Sequence, residues 1–193
     1  MKMTDCDAVI LAGGHSRRMG RCKALLELGG ERVLDRLARE LSGFHKLWIS
    51  LGTAPVGGAL PGQAVWDRYP DCGPLAGLHA ALRAAEADYL FCVPCDLPYM
   101  TGAVGRRMLE DFPPDVDARV CGEAGGRVQP LCGIYAKSAL PVLERRLEAG
   151  QLRAGELLTQ LRYSIFPVEE YFPSRVLFNM NTPEDYRRVL REE

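Results

Sequence analysis

The first apolar run of the chain, Asp7-Ala-Val-Ile-Leu-Ala12, halts at the pair Gly13-Gly14. A short run without polar alternation predicts a strand buried on both faces, as in a parallel sheet, that ends in a glycine turn. Val33, Leu34, Leu37, Leu41 and Phe44 then recur at helical spacing, with Asp35, Arg36, Arg39 and Glu40 opposite them. That pattern predicts an amphipathic helix returning across the sheet. Further strands are expected at 46–51 and 64–66, on either side of a Gly/Pro-rich loop. An alanine-rich helix with Pro74 in its first turn precedes an apolar strand at 89–93. Thr101 is placed to start a helix reaching Phe112, and strands follow at 116–121 and 130–136. Ser138 opens a helix that stops at Gly150, and Thr182-Pro-Glu-Asp185 carries the N-cap, first-turn proline and acidic third position of a final helix. No repeat, low-complexity tract or linker interrupts the series.

Strands alternating with helices imply an α/β fold: a single-domain three-layer sandwich over 1–193, with a mostly parallel sheet and helices on both faces. In such sheets ligands gather outside the carboxyl ends of the strands, so the chemistry is expected just after them. Trp48 and Trp66 fall in strand segments and read as core residues, and His79 reads as a packed or helix-surface residue of its helix rather than a catalytic one.

Composition removes several function classes. Lys+Arg 24 against Asp+Glu 25 leaves a net charge of -1, so no overall field draws nucleic acid or an anionic membrane. A bound anion must therefore be held by local geometry. The N-terminal apolar run is too short for a membrane span or a signal-peptide core, which predicts a cytoplasmic protein. The seven cysteines are odd in number and are expected as free thiols, the lone Cys92-x-x-Cys95 lacking the further ligands a zinc site needs.

The segment Leu11-Ala-Gly-Gly-His-Ser-Arg-Arg-Met-Gly-Arg-Cys-Lys23 combines adjacent glycines with clustered cations. Gly13 and Gly14 let backbone N–H groups approach an anion, while Arg18 and Lys23 supply charge against phosphate. The spacing fits neither the G-x-x-x-x-G-K-[ST] loop nor the G-x-G-x-x-G fingerprint. A solvated turn whose arginines only aid solubility is the other reading of the bare pattern. Asp96 follows the strand at 89–93 and should stand at its carboxyl end, facing the glycine loop. One such carboxylate together with phosphate oxygens suits Mg²⁺, and a cap or turn role is its alternative.

The string Leu11-Ala-Gly-Gly-x-Ser-x-Arg-Met-Gly-x-x-Lys23 resembles the signature loop of nucleotidyltransferases, above all the molybdenum cofactor guanylyltransferase (MobA) family. The likeness continues at Gly73-Pro-Leu-Ala-Gly77, Pro94-Cys-Asp-Leu-Pro98, Pro130-Leu-Cys-Gly-Ile-Tyr135 and Asn179-Met-Asn-Thr-Pro-Glu-Asp185, and so covers the chain in order. The resemblance implies a Rossmann-like nucleotide-diphospho-sugar transferase fold, GTP and molybdopterin as substrates, Mg²⁺ as cofactor, and partners in molybdenum cofactor biosynthesis or among molybdoenzymes. It implies nucleotide contacts at Leu11, Ala12, Gly13, Gly14, Lys23, Asp67 and Asp96, a metal role for Asp96, and catalytic roles for Arg18, Lys23 and Asp96. Where the family often has Asn after its second strand this chain has Ser50, whose single hydroxyl offers less to a base or ribose. Asn179 and Asn181, flanking the end of an expected last strand, stay unassigned between metal or phosphate contacts and capping, and no acceptor residue is assigned. A cytidylyl or sugar-phosphate nucleotidyltransferase, or a non-catalytic molybdopterin-delivery protein, remains the alternative.

Overall fold

A computed structural model describes residues 1–13, 22–55 and 57–192. In chain order the elements are β1 Cys6–Leu11, a small hairpin of β2 Glu27–Leu28 and β3 Glu31–Arg32, α1 Val33–Glu40, β4 Leu47–Ser50, β5 Gln63–Val65 and α2 Pro74–Ala84. Then come β6 Tyr89–Pro94, α3 Gly102–Glu110, β7 Ala118–Gly122, β8 Val128–Ala136, α4 Leu140–Glu148, α5 Ala154–Leu157, β9 Tyr163–Pro167 and α6 Pro183–Glu192.

Seven strands form one sheet in the order β5-β4-β1-β6-β8-β7-β9. β1 lies between β4 and β6 and pairs in parallel with both, Ile10 opposite Ile49 and Val9 opposite Cys92. β8 alone runs against its neighbours β6 and β7. The sheet is therefore mostly parallel, with one reversed strand. The reversal follows from the tight connection after β7, where Gly125 and Gly126 take φ of +89° and +85° and the Glu123 N–H donates to the Arg127 carbonyl at 2.8 Å. Glycine adopts that backbone without the Cβ penalty other residues meet.

The apolar run of β1 has a simple cause, because every residue of the strand is buried and alternate side chains serve opposite faces. Ile10 joins Leu34, Leu37, Phe91, Val104 and Val189 on the side of α1, α3 and α6. Val9 joins Leu75, Leu78, Tyr135, Leu143 and Leu157 on the side of α2, α4 and α5. Asp7 is the exception within the run. Fully buried, its carboxylate accepts hydrogen bonds from Trp48 Nε1 at 2.8 Å and the Glu86 N–H at 2.9 Å, and pairs with His45 Nδ1 at 2.8 Å. It fastens the amino end of β1 to β4 and to the approach to β6, at the far end of the strand from Leu11.

Some expectations are corrected. The strand at β9 was not expected from sequence; it is a short edge strand. Trp66 is 47% exposed rather than packed in the core, because it lies just past β5, the outermost strand on its side. The first helix ends at Glu40, and Leu41 and Phe44 are buried from the turn that follows. Ser138 does not cap α4: its hydroxyl donates to Asp117 Oδ1 at 2.6 Å, and it lies two residues before a helix that begins at Leu140. The segment before Asn179 is a 3-10 turn, Ser174–Leu177, and not a strand. Trp48 is buried as expected, His79 is packed and not on the helix surface, and the seven cysteines are free. Among the described residues no helix is long and apolar enough to cross a membrane.

Candidate active site

The carboxyl end of β1 is drawn close to β4. The N–H groups of Ala12 and Gly13 both donate to the Ser50 carbonyl, at 2.9 and 2.8 Å, while on the other side the Cys95 N–H donates to the Leu11 carbonyl at 3.1 Å. A Cβ on Gly13 would lie 2.5 Å from the Gly52 nitrogen and 2.7 Å from the Leu51 carbonyl carbon. Backbone cannot yield there as a flexible side chain does, so the approach of the two strand ends requires glycine.

Beside this junction is a cavity of about 540 Å³, in the size range of small-molecule sites. Its lining includes Leu11, Ala12, Gly13, Ser50, Asp67 and Gly73. It opens where β1, β4 and β5 end and α2 begins, so the positive end of the α2 dipole borders it. Close packing of α2 on the strands is again a glycine effect: a Cβ on Gly77 would lie 2.4 Å from Ser50 Oγ.

Asp67 follows β5, and its N–H donates to the Gly52 carbonyl at 3.0 Å. Its Oδ1 is buried without a hydrogen-bond partner. Burial pushes its carboxyl up to about 6. A buried acceptor without a donor costs free energy unless something supplies one. On a cavity wall, a bound molecule can be that supplier.

Across β1 from the cavity lies a second polar cluster. Lys23 begins a 3-10 turn, Lys23–Leu25, and its Nζ donates to Asn181 Oδ1 at 2.6 Å and to Asp96 Oδ2 at 3.4 Å. The Lys23 and Asp96 side chains are 14% and 23% exposed, so the pair is accessible from outside. Asp96 stands just beyond β6, where the Met180 N–H donates to its carbonyl at 2.8 Å. Asp185 accepts the N–H groups of Asn181 at 2.9 Å and Thr182 at 2.7 Å, and its own N–H donates to Thr182 Oγ1 at 3.1 Å. This reciprocal capping box starts α6 and fixes the turn that presents Asn181.

The predicted site residues thus gather at the carboxyl edge of the sheet in two groups. Leu11, Ala12, Gly13 and Asp67 line the cavity, and Lys23 meets Asp96 on the other side of β1. Gly14 and Arg18 lie outside the described residues. Sequence reasoning left Asn181 unassigned and gave Asp185 only a capping role. The signal that links them to the site is the Asn-x-Asn-Thr-Pro-Glu-Asp string, whose capping box can be read in advance although its distant partner Lys23 cannot. Asp96 and Asn181 offer hard oxygen donors around a point that a cation, the Lys23 ammonium, already occupies. Among the described residues no group of three or more His, Cys, Asp or Glu side chains could hold a metal.

A mostly parallel sheet with its cavity and its lysine–carboxylate cluster at the carboxyl ends of adjacent strands is the layout of a nucleotidyltransferase. Residues 8–163 match the MobA-like NTP transferase domain, and the chain belongs to that family. It is 33% identical over 194 residues to the probable molybdenum cofactor guanylyltransferase of Carboxydothermus hydrogenoformans, covering 98% of this chain and 97% of the relative. It is 35% identical over 197 residues to the protein of the same description from Pelotomaculum thermopropionicum, covering 98% and 95%. Its fold superposes with a TM-score of 0.79 on the crystal structure of molybdopterin-guanine dinucleotide biosynthesis protein A from Archaeoglobus fulgidus, at 24% identity and with 96% and 97% of the two chains covered.

Proposed function

We propose that the protein transfers GMP from GTP to the terminal phosphate of the molybdopterin cofactor and releases pyrophosphate, with residues 1–193 acting as one domain in the cytoplasm. The observation that carries this reading is the meeting of Lys23 and Asp96 across the end of β1 from a cavity whose wall holds the unpartnered Asp67 Oδ1. A nucleoside in the cavity would send its phosphates over the glycine end of β1 toward Lys23 and Asp96. The relatives supply the choice of GTP and of molybdopterin.

The acceptor brings its own oxyanion, so no side-chain nucleophile is required. An acceptor phosphate oxygen bonds to the α-phosphorus as the bond from that phosphorus to the α,β-bridging oxygen breaks, and the electron pair leaves with pyrophosphate. Alignment of two anions and screening of their repulsion then carry the catalysis. In this reading Leu11, Ala12 and Gly13 line the donor site, Asp67 accepts a donor group of the nucleotide, and Lys23 carries charge to the leaving phosphates. Gly14 and Arg18, outside the described residues, are assigned to the same phosphate loop on the glycine and cation pattern of the sequence and on the resemblance. Asp96, with Asn181 beside it, fits Mg²⁺, because their oxygens already flank a cation and hard oxygen donors suit that ion. Bound there, the ion would neutralise charge developing on the transferred phosphoryl group.

The test supplies purified protein with molybdopterin, Mg²⁺ and, in turn, GTP, CTP, ATP or UTP. GTP is expected to give pyrophosphate and a product that retains the α-phosphate. Asp96→Ala is expected to abolish both while the chain stays folded. Turnover with CTP alone would reassign the base, undiminished turnover by Asp96→Ala would remove the mechanism, and GTP binding without pyrophosphate release would favour a delivery protein.

A further inference from the structure

In the proposed reaction Lys23 serves the leaving phosphates, yet in the structure its ammonium is engaged elsewhere. Nζ lies 2.6 Å from Asn181 Oδ1 and 3.4 Å from Asp96 Oδ2. These two oxygens come from segments far apart in the chain, one following β6 and the other preceding α6. The Asn181 side is held rigidly, since both Asn181 and Thr182 donate their N–H groups to Asp185. The oxygens therefore converge on one point by construction of the fold, and that point is filled by a cation belonging to the chain itself.

We infer that the Lys23 ammonium is a removable stand-in for the divalent cation, so that metal takes the position between Asp96 and Asn181 only as a triphosphate draws Lys23 away. The inference rests on the nucleotidyl-transfer reading and concerns the order of events within it. Two cations cannot share donors at these distances, because their mutual repulsion is not relieved by a single carboxylate. Without nucleotide the tethered ammonium has the advantage of high effective concentration. One carboxylate and one amide oxygen also form a poor site for an ion that relies on phosphate oxygens and retained waters. An arriving triphosphate reverses the balance: it offers Lys23 several anionic oxygens and brings further metal ligands. Asp96 is thus kept paired between turnovers, and metal without nucleotide finds its donors occupied.

The test measures Mn²⁺ binding to the full chain by electron paramagnetic resonance, with neither nucleotide nor acceptor present. Wild type and Lys23→Arg are expected to bind weakly, and Lys23→Met and Lys23→Gln at least tenfold more tightly. Adding Asn181→Ala to Lys23→Met should erase the gain, because the donors that hold the ammonium are the ones the metal inherits. A general loss of positive charge would raise affinity whether or not Asn181 were present. Equal affinity in wild type and both neutral variants, each shown to be folded by circular dichroism, overturns the inference. So does a gain that survives Asn181→Ala. The gain with no GTP turnover would remove the guanylyl reading and leave the exchange, whereas turnover without the gain would remove only the exchange.

Discussion

The Asp185 carboxylate accepts the backbone N–H of Asn181 at 2.9 Å, and Asn181 in turn accepts Lys23 at 2.6 Å, so a helix cap and a candidate catalytic lysine are joined through one residue. Asp185→Ala removes both the cap and the anchor. We expect a stability loss of about 1 kcal/mol, typical of a lost N-cap interaction, and a fall in kcat of at least tenfold, about 1.4 kcal/mol in the barrier. Denaturant unfolding and steady-state kinetics read the two effects separately. A stability loss without a kinetic one would limit Asp185 to capping.

Gly13→Ala places a methyl group 2.5 Å from the Gly52 nitrogen. The ends of β1 and β4 must part, and overpacking of this kind costs about 1–3 kcal/mol. Because the same backbone lines the cavity, nucleotide affinity should fall as well. Urea unfolding together with GTP titration by calorimetry checks both, and wild-type values in the two would show that the strand ends separate freely.

Asp67 links pH to ligand binding and to stability. Its carboxyl is pushed up to about 6 by burial, against an ordinary 3.8. In the folded chain it therefore holds its proton over a range where the unfolded chain has lost it, and its contribution to stability declines as pH rises from about 4 to about 6. Asp67→Asn should flatten that decline. If the ionised carboxylate accepts a donor of the nucleotide, GTP affinity rises through about pH 6 in the wild type and not in Asp67→Asn. A pH-independent affinity in the wild type would take Asp67 out of the contact.

Acid sensitivity should arise away from the site. Burial alone would raise the Asp7 carboxyl, but hydrogen bonds from Trp48, His45 and the Glu86 N–H outweigh it and hold it below 3.8. Asp117 is held well below the carboxylate range, first by the Arg162 guanidinium and then by Ser138 and the Arg162 N–H. Both contributions are fully present above pH 4 and are lost as pH falls through the lowered values. Asp7→Ala should cost about 3 kcal/mol at neutral pH, the scale for leaving buried donors without their charged acceptor. Thermal unfolding across pH 2–7 checks this; an unchanged midpoint in the variant would show that its donors find other partners.

Much of the fold could be read in advance because its elements are locally consistent. Runs such as Ala8-Val-Ile-Leu11 must be strands buried on both faces, and the spacing of Val33, Leu34 and Leu37 admits only one helical face. β9 escaped notice because Tyr163 and Ile165 stay exposed on an edge strand, leaving no buried stripe to detect. The reversed direction of β8 comes from the tight turn at Gly125 and Gly126, a hairpin signal between the strands expected at 116–121 and 130–136 that a reading of alternating strands and helices passes over. Trp66 misled because an aromatic at a strand end reads alike whether the strand is central or outermost. In the site, the glycine end of β1 and Asp96 were legible as residues that follow strands, whereas Asp67 came from the family resemblance, its own neighbourhood reading equally well as a solvated turn. The hydrogen bond from Lys23 to Asn181 joins positions 158 apart in sequence, and nothing in either neighbourhood announces the other.

Every residue lining the cavity falls between Leu11 and Gly77, whereas Asn181 joins Lys23 only once α6 is about to begin. On the ribosome, the segments that wall the donor pocket emerge well before the residue that completes the lysine cluster. The cavity wall is thus local in sequence, whereas the lysine cluster closes only when the segment leading into α6 has docked against Lys23.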